Sequence, residues 1–417
     1  MLLILWGFIA GETIDEFSGT VFETQRCNVN VVDRCGYCSG IGGAVFKTTH
    51  MIHFGDARVL THIPNESIDL VVTSPPYPMI EMWDEVFSAL NPKIGQTLAD
   101  GKGRAAFDMM HHELDKVWQE VVRVLKEGGW VCINIGDATR RMGDGFQLYS
   151  NHSRITSALF ALGLDSLPVV LWRKQTNAPN KFMGSGMLPA GAYVTLEHEY
   201  ILIFRKGSKR MFSTPDEKQW RHSSSYFWEE RNIWFSDIWD FKGIRQLLNH
   251  SALRERSAAF PFELAYRLIN MYSVRQDTVL DPFLGTGTTS FAAVASCRNS
   301  VGIEIDPNFH TLIREGMEAA PMLANHHVSK RLHDHVRFVQ HYQENRGNPK
   351  HQNRHYGFPV VTSQEVHLTL NYVLSVEEKL DGSYTALYDD SHTIRGESPL
   401  PTVSEKAALA QQQTLLF

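Results

Sequence analysis

The sequence predicts an α/β fold, a sheet with helices on both faces, and three features predict it. Short apolar runs of strand length alternate along the chain with amphipathic stretches of helical length. Most of the runs are continuously apolar, as strands covered on both faces should be. Two turn motifs rich in glycine or proline follow directly on two of these runs, at strand ends of the kind where open α/β sheets gather their ligands.

The runs are Ile68–Thr73, Trp130–Ile135, Val169–Trp172, Tyr200–Phe204, Thr278–Asp281 and Ser300–Ile305. Between the first two, His112–Leu125 places Leu114, Val117, Val121 and Leu125 on one helical stripe, and Glu127-Gly128-Gly129 supplies a stop before the next strand. That segment predicts a crossover helix. Gly207–Arg256 is polar and aromatic with little periodicity, so it reads as a small irregular, loop-rich insertion. After about Ala320 the chain becomes rich in His, Asn and Gln, with a hairpin signal at Asp381-Gly382. These shifts divide it into an N-terminal extension (1–46), two halves of a sheet domain (47–206 and 257–320) separated by the insertion (207–256), and a C-terminal appendage (321–417). The sheet domain is expected to begin near Lys47 or Met51.

Composition narrows the function classes. A chain of 417 residues buries a large core without staples. Five scattered cysteines, Cys27, Cys35, Cys38, Cys132 and Cys297, do not make a disulfide framework and suit a reducing cytoplasm. The apolar run Met1–Ala10 is about half the roughly 20 residues that a spanning helix needs, so no membrane span is expected. A formal net charge of −6 argues against a protein that simply coats nucleic acid. Arg205–Arg256, however, carries eleven Lys or Arg against seven Asp or Glu, a surplus of four that suits a face toward DNA.

The first motif is Asp281-Pro282-Phe283-Leu284-Gly285-Thr286-Gly287-Thr288-Thr289. A glycine turn between strand and helix lets the backbone approach a nucleotide-like ligand closely. It is neither the dinucleotide fingerprint, because Ser290 stands where the third glycine belongs, nor a phosphate loop, because no Lys follows. S-adenosyl-L-methionine has no phosphate; it needs a tight turn at its amino-acid end and a carboxylate for its ribose hydroxyls. Glu304, ending Val301-Gly302-Ile303-Glu304, is placed to be that carboxylate.

The second motif is Thr73-Ser74-Pro75-Pro76-Tyr77-Pro78. One reading is a rigid proline turn closing a strand. The chemical reading starts from an exocyclic base amine, a poor nucleophile because its lone pair is delocalised into the ring. A catalyst must hold both amine hydrogens while nitrogen becomes tetrahedral. The Ser74 hydroxyl and the Pro75 carbonyl, fixed by Pro76, are suitable acceptors, and Tyr77 can stack on the extruded base. Methylation of a pyrimidine ring carbon would need a thiol in a Pro-Cys pair, and none occurs.

Together these residues resemble the amino-group DNA methyltransferases in the permuted order, the beta group, where the catalytic tetrad precedes the cofactor loop. The resemblance spans roughly His53–Phe309. It implies a Rossmann-like S-adenosylmethionine-dependent methyltransferase sheet and carries the catalytic role onto Ser74, Pro75, Pro76 and Tyr77. It carries cofactor binding onto Asp281, Phe283, Gly285, Gly287 and Glu304, and onto Asp56 in His53-Phe54-Gly55-Asp56. Arg256-Ser257-Ala258-Ala259-Phe260-Pro261 resembles the segment flanking the methionine end of the cofactor. Members with serine leading the tetrad usually methylate cytosine N4, so a site-specific cytosine-N4 enzyme of a restriction-modification system is expected. N6 of adenine is the alternative, and an RNA base or a protein glutamine a further one. A non-enzymatic DNA-binding scaffold predicts a damaged tetrad or loop, and both are intact.

By the same resemblance the insertion is the target recognition region. Arg210, Arg221, Arg231 and Arg245 are candidates for guanine edges or phosphates, and Lys181, beside Asn177 and Asn180, for a loop closing over DNA. The other reading makes Trp220, Trp228 and Trp234 a small core and the arginines a solvated face. Cys35-Gly36-Tyr37-Cys38 with Cys27 and His50 or His53 lacks a second close pair, so free cysteines and no metal are expected. His326, His327, His333, His335 and His341 read as solvated surface. Gln413-Thr414-Leu415-Leu416-Phe417 resembles the short peptide that docks on the bacterial sliding clamp. The partners expected are double-stranded DNA and that clamp, for a monomer or homodimer associated with a prokaryotic nucleoid.

Overall fold

The computed structural model describes residues 46–143, 145–174, 183–241 and 260–396. At its centre is a ten-stranded sheet. Its strands are β1 (Lys47–Phe54), β2 (Ile68–Thr73), β3 (Leu125–Ile135), β4 (Leu164–Arg173), β5 (His198–Lys206), β6 (Ile238–Asp240), β7 (Thr278–Asp281), β8 (Asn299–Glu304), β9 (Val373–Glu378) and β10 (Tyr384–Tyr388). Their spatial order is β6-β4-β5-β3-β2-β7-β8-β1-β10-β9. The five central strands β3, β2, β7, β8 and β1 are parallel, whereas β5 is antiparallel to β3 and β4, and β10 to β1 and β9. Every apolar run of the sequence is a strand here.

The helices are α1 (Asp84–Leu90), α2 (Pro92–Ala99), α3 (Gly103–Val124), α4 (Asn151–Ala161), α5 (Pro215–Ser223), α6 (Trp228–Trp234), α7 (Phe262–Tyr272), α8 (Thr288–Ala295) and α9 (His310–Arg346). They cover both faces. Leu70 and Val72 of β2 pack with Ala265 and Ile269 of α7 and Phe291 of α8, while Val71 between them packs with Val117 and Val121 of α3 and Ile155 of α4. A strand that buries both faces stabilises the fold by about 1.5–3 kcal/mol per aliphatic side chain on each side, hence the unbroken apolar run. Among the described residues no helix is long and apolar enough to cross a membrane.

Three expectations need correction. First, the crossover helix begins at Gly103 and ends at Val124, so Leu125 and Glu127-Gly128-Gly129 lie inside β3. Gly128, at φ +77°, passes the backbone of Arg210 so closely that a Cβ would come within 2.9 Å of it. The glycines therefore accommodate a neighbouring chain and do not stop the helix.

Second, the insertion is not irregular over its described residues, 207–241, which hold α5, α6 and β6. Thr214 caps α5, its side chain accepting from Glu217 N while the Glu217 carboxylate accepts from Thr214 N. Its tryptophans pack inward, Trp220 on Phe46 (5.7 Å), Trp228 on Phe338 (5.7 Å) and Trp234 in the main core.

Third, the C-terminal segment is integral to the fold over its described residues. The boundary at residue 320 falls inside α9, and the hairpin predicted at Asp381-Gly382 adds β10 and β9 to the sheet beside β1. His326 and His341 are exposed as expected, but His335 is buried. Its ring stacks on Phe227 at 3.9 Å between the Glu229 carboxylate (2.7 Å) and the Pro359 carbonyl (3.0 Å).

Candidate active site

The carboxyl ends of β1, β2, β7 and β8 bring both sequence motifs to one edge of the sheet. One carboxylate joins them. Asp281 closes β7 and accepts from the hydroxyl of Thr73, the last residue of β2 (2.6 Å), from the hydroxyl of Thr289 at the start of α8 (2.6 Å), and from Phe283 N (3.0 Å). Burial pushes its pKa up to about 6 against the pull of these donors. The resemblance makes Asp281 a cofactor contact. In the structure its bonds to its own chain are what set Ser74 beside the glycine loop.

The loop itself has the conformation its glycines allow. Gly285 sits at φ +56° and Gly287 at φ +96°, with the Phe291 ring 2.7 Å from where a Gly287 Cβ would be. Glu304 ends β8; one oxygen accepts from Gly285 N (2.7 Å), the other from Asp306 N (2.8 Å). Burial pushes its pKa up to about 7. Asp56 is brought to the same edge because Gly55 N donates to the Glu304 carbonyl (2.8 Å). Its carboxylate pairs with Arg58 (2.6 Å), which also reaches Glu113 (2.6 Å). Burial raises the Asp56 pKa, but the Arg58 bonds outweigh it and hold the group below its usual range. Phe283 lies edge-on to Trp118 at 6.0 Å. An edge with a carboxylate at the strand end and no phosphate-binding lysine in the loop suits an adenosine-type ligand without phosphates.

At the tetrad, Pro75 is buried and Ser74, Pro76 and Tyr77 are half-buried. The Ser74 hydroxyl directs its hydrogen toward the Asn134 carbonyl (3.1 Å) and Tyr77 Oη (3.2 Å). Tyr77 Oη donates to Glu199 Oε2 (3.0 Å) and accepts from Asn134 Nδ2 (2.9 Å). Asn134 Nδ2 also donates to Glu199 (2.6 Å), and Lys174 pairs with its other oxygen. Burial, then the Glu199 charge, holds the Tyr77 hydroxyl well above the ordinary phenol range. The sequence reading missed Asn134, Lys174 and Glu199. A signal existed in Asn134, a polar residue near the carboxyl end of an otherwise apolar strand, and in Glu199, just inside the start of the antiparallel neighbour.

The recognition candidates fall elsewhere. Arg210 pairs with Asp277 (2.7 Å) and approaches Asp69 (3.7 Å) at the starts of β7 and β2, the opposite edge of the sheet. Arg221 lies over the Phe212 ring (4.8 Å) and Arg231 over Phe235 (5.5 Å). The structure brings none of these three to the tetrad. Of the zinc candidates, His50 is buried in β1 between Thr48 and Ser300 hydroxyls; Cys132 and Cys297, outside that set, are buried free thiols. Lys181, Asn177, Asn180, Arg245, 256–259, Cys27, Cys35, Cys38 and the tail Gln413–Phe417 lie outside the described residues.

Comparison with known proteins finds similarity over most of the chain. The family pattern of DNA methylases, the N6/N4 methyltransferases, matches residues 68–315. The Type II methyltransferase M.MthZI of Methanothermobacter thermautotrophicus is 52% identical over 346 residues, 82% of this chain and 96% of that protein. M.MjaI of Methanocaldococcus jannaschii, also a Type II methyltransferase, is 50% identical over 279 residues, covering 64% of this chain and 91% of that one. A proposed DNA modification methylase from Thermus thermophilus, solved with S-adenosyl-L-methionine, is 34% identical with a TM-score of 0.49, covering 64% of this chain and 93% of that one.

Proposed function

The chain belongs to the DNA methylase family, and from that premise we propose that it transfers the methyl group of S-adenosyl-L-methionine to the N4 amine of a cytosine extruded from double-stranded DNA. Bound S-adenosyl-L-methionine supplies an electrophilic methyl on a sulfonium. Glu304 would hold its ribose hydroxyls, and the turn at Gly285 and Gly287 its amino-acid end. The Ser74 hydroxyl and the Pro75 carbonyl accept the two amine hydrogens, which withdraws the nitrogen lone pair from the ring and frees it for in-line attack. The Tyr77 ring stacks on the base while its hydroxyl stays anchored to Glu199.

The observation that carries the reading is the position of Ser74. It stands at the head of a proline-fixed turn, joined through its neighbour Thr73 and Asp281 to the glycine loop. A serine hydroxyl here, in place of the Asp or Asn usual in adenine-directed members, favours cytosine. The test is to incubate the protein with plasmid DNA and labelled S-adenosyl-L-methionine, digest to nucleosides and identify the labelled one by mass. N4-methylcytosine is expected. N6-methyladenine would keep the chemistry and overturn the base, and unlabelled DNA would overturn the substrate.

A further inference from the structure

We propose that Glu199 is the proton acceptor of the methyl transfer, reached from the target amine through the hydroxyls of Ser74 and Tyr77, with Asn134 and Lys174 holding it in position. The proposal rests on the amino-transfer reading above and adds the route by which the reaction's proton leaves.

The direction of the chain follows from donor and acceptor counts. Tyr77 Oη has one hydrogen, two lone pairs and three neighbours. Asn134 Nδ2, at 2.9 Å, can only donate to it, and ionised Glu199 Oε2, at 3.0 Å, can only accept. The phenolic hydrogen therefore lies toward Glu199, and the remaining lone pair receives the Ser74 hydroxyl at 3.2 Å. The Asn134 amide cannot be turned over, because its Nδ2 also donates to Glu199 at 2.6 Å and the reversed group would set oxygen against oxygen. The hydrogen bonds thus run one way, from Ser74 to Tyr77 to Glu199. Lys174 pairs with the outer carboxylate oxygen and leaves Oε2 to face Tyr77 and Asn134. Both lone pairs of Ser74 Oγ are left for an amine hydrogen, since its bonds to Tyr77 and Asn134 use only its own proton.

The step balances. The amine nitrogen uses its lone pair to bond the methyl carbon, and the carbon–sulfur bond breaks with its electron pair going to sulfur, which becomes a neutral thioether. The nitrogen, now bearing four bonds and a positive charge, passes one proton to Ser74 Oγ. Ser74 passes its own hydrogen to Tyr77 Oη, and Tyr77 passes its hydrogen to Glu199 Oε2. The sulfonium's charge is cancelled by protonation of one carboxylate, leaving the methylated base neutral. Because its buried hydroxyl resists ionisation, Tyr77 gives a proton only as it receives one, which makes the passage concerted.

The test uses the full-length protein with unmodified DNA and labelled S-adenosyl-L-methionine. Single-turnover rates are measured in H2O and D2O for wild type, Glu199→Gln, Tyr77→Phe and the double variant, with cofactor and DNA dissociation constants for each. Each single substitution should lower the rate about 100-fold, with both constants within about twofold of wild type. The double variant should be no slower than the slower single one, and the wild-type solvent isotope effect should vanish in all three. A Glu199→Gln protein that turns over at the wild-type rate, keeps the isotope effect or multiplies with Tyr77→Phe overturns the relay. So does a slow variant whose loss is explained by weakened cofactor or DNA binding. A wild-type protein that labels no DNA overturns the functional reading itself, and the relay with it.

Discussion

The two edges of the central sheet use buried charge in different ways. At the amino edge Asp69 and Asp277 lie at the starts of β2 and β7, and Arg210 bridges them while Lys126 adds a second cation to Asp69 (2.7 Å). Nearby, buried Arg298 is tied to the side chain (3.1 Å) and carbonyl (2.7 Å) of Ser273. These charges are met by the protein's own groups. At the carboxyl edge the polar groups orient one another yet keep spare capacity. Ser74 has two lone pairs to offer, and the Asn134 side-chain oxygen is buried without a hydrogen-bond partner. A buried acceptor left unmet costs about 1–3 kcal/mol, so its persistence beside a candidate catalytic hydroxyl marks where a ligand belongs. The carboxyl edge thus differs from the carboxylate–cation pairs of Asp69 and Asp277 in offering open acceptors beside a hydroxyl.

The largest effect that sharpens this contrast is at Glu304. Its folded pKa of about 7 lies above the unfolded carboxyl value, so the native state holds the proton more tightly. Its contribution to stability is therefore greatest below the unfolded value and is lost as pH rises toward 7. Cofactor binding has the opposite slope, because the ribose hydroxyls need an ionised acceptor. The dissociation constant of S-adenosyl-L-methionine should rise up to about tenfold per unit as pH falls below 7. Glu304→Gln should flatten that slope and weaken binding about 10- to 100-fold. Because the amide nitrogen cannot accept from Gly285 N or Asp306 N, the hydrogen bond it loses offsets the gain from removing the buried charge, and the cofactor-free protein at pH 8 should stay within about 1 kcal/mol of wild type. Calorimetric titration and thermal unfolding across pH 5.5–8.5 measure both, and a variant that loses binding and stability together would make Glu304 an architectural group.

At the amino edge the signs should differ. Arg210→Ala leaves Asp277 beside Asp69 with its cation gone, and burial together with that neighbour already pushes the Asp277 pKa up. Arg210 is about a third exposed, so solvent screening reduces the loss from the value for a fully buried pair to about 1–2 kcal/mol. Denaturant unfolding should show this, with DNA affinity within about twofold of wild type. Weaker DNA binding at unchanged stability would return Arg210 to the recognition surface.

The same contrast explains what the sequence made legible. Strands covered on both faces leave unbroken apolar runs, and turns needing positive φ leave Gly285 and Gly287, so the sheet, the tetrad and the loop could be read without coordinates. Glu199 left only the signal of a charge at a strand start, and Lys174 none, because both belong to the site only through the antiparallel pairing of β5 with β3 and β4. The insertion was misread for another reason. Polarity hid α5, although Thr214, Pro215 and Glu217 spell a capped helix start. Arginine count pointed toward DNA because composition carries no information about which sheet edge a segment reaches. β5 runs antiparallel to its neighbour and delivers the chain at Lys206 to the amino edge, where Lys206 Nζ bonds the carbonyl of Leu125 (2.7 Å).

That delivery makes Arg221 and Arg231 the most sensitive probes of the contrast, because both are exposed and neither has a carboxylate partner within salt-bridge distance among the described residues. If free charge alone made a DNA contact, they would be better candidates than Arg210. The surroundings argue otherwise: each guanidinium lies over an aromatic ring of its own segment, and the turn after Arg221 is tied to the amino edge by Arg275 N, which donates to Ser224 Oγ (2.8 Å). Exposed cation–π pairs contribute about 0.5–1 kcal/mol each, so Arg221→Ala and Arg231→Ala should each lower stability by no more than that. Removing a phosphate contact would instead weaken DNA binding and reduce the slope of log affinity against log salt by about one. Measuring that slope for wild type and both variants separates the readings, and an unchanged slope is expected for both substitutions.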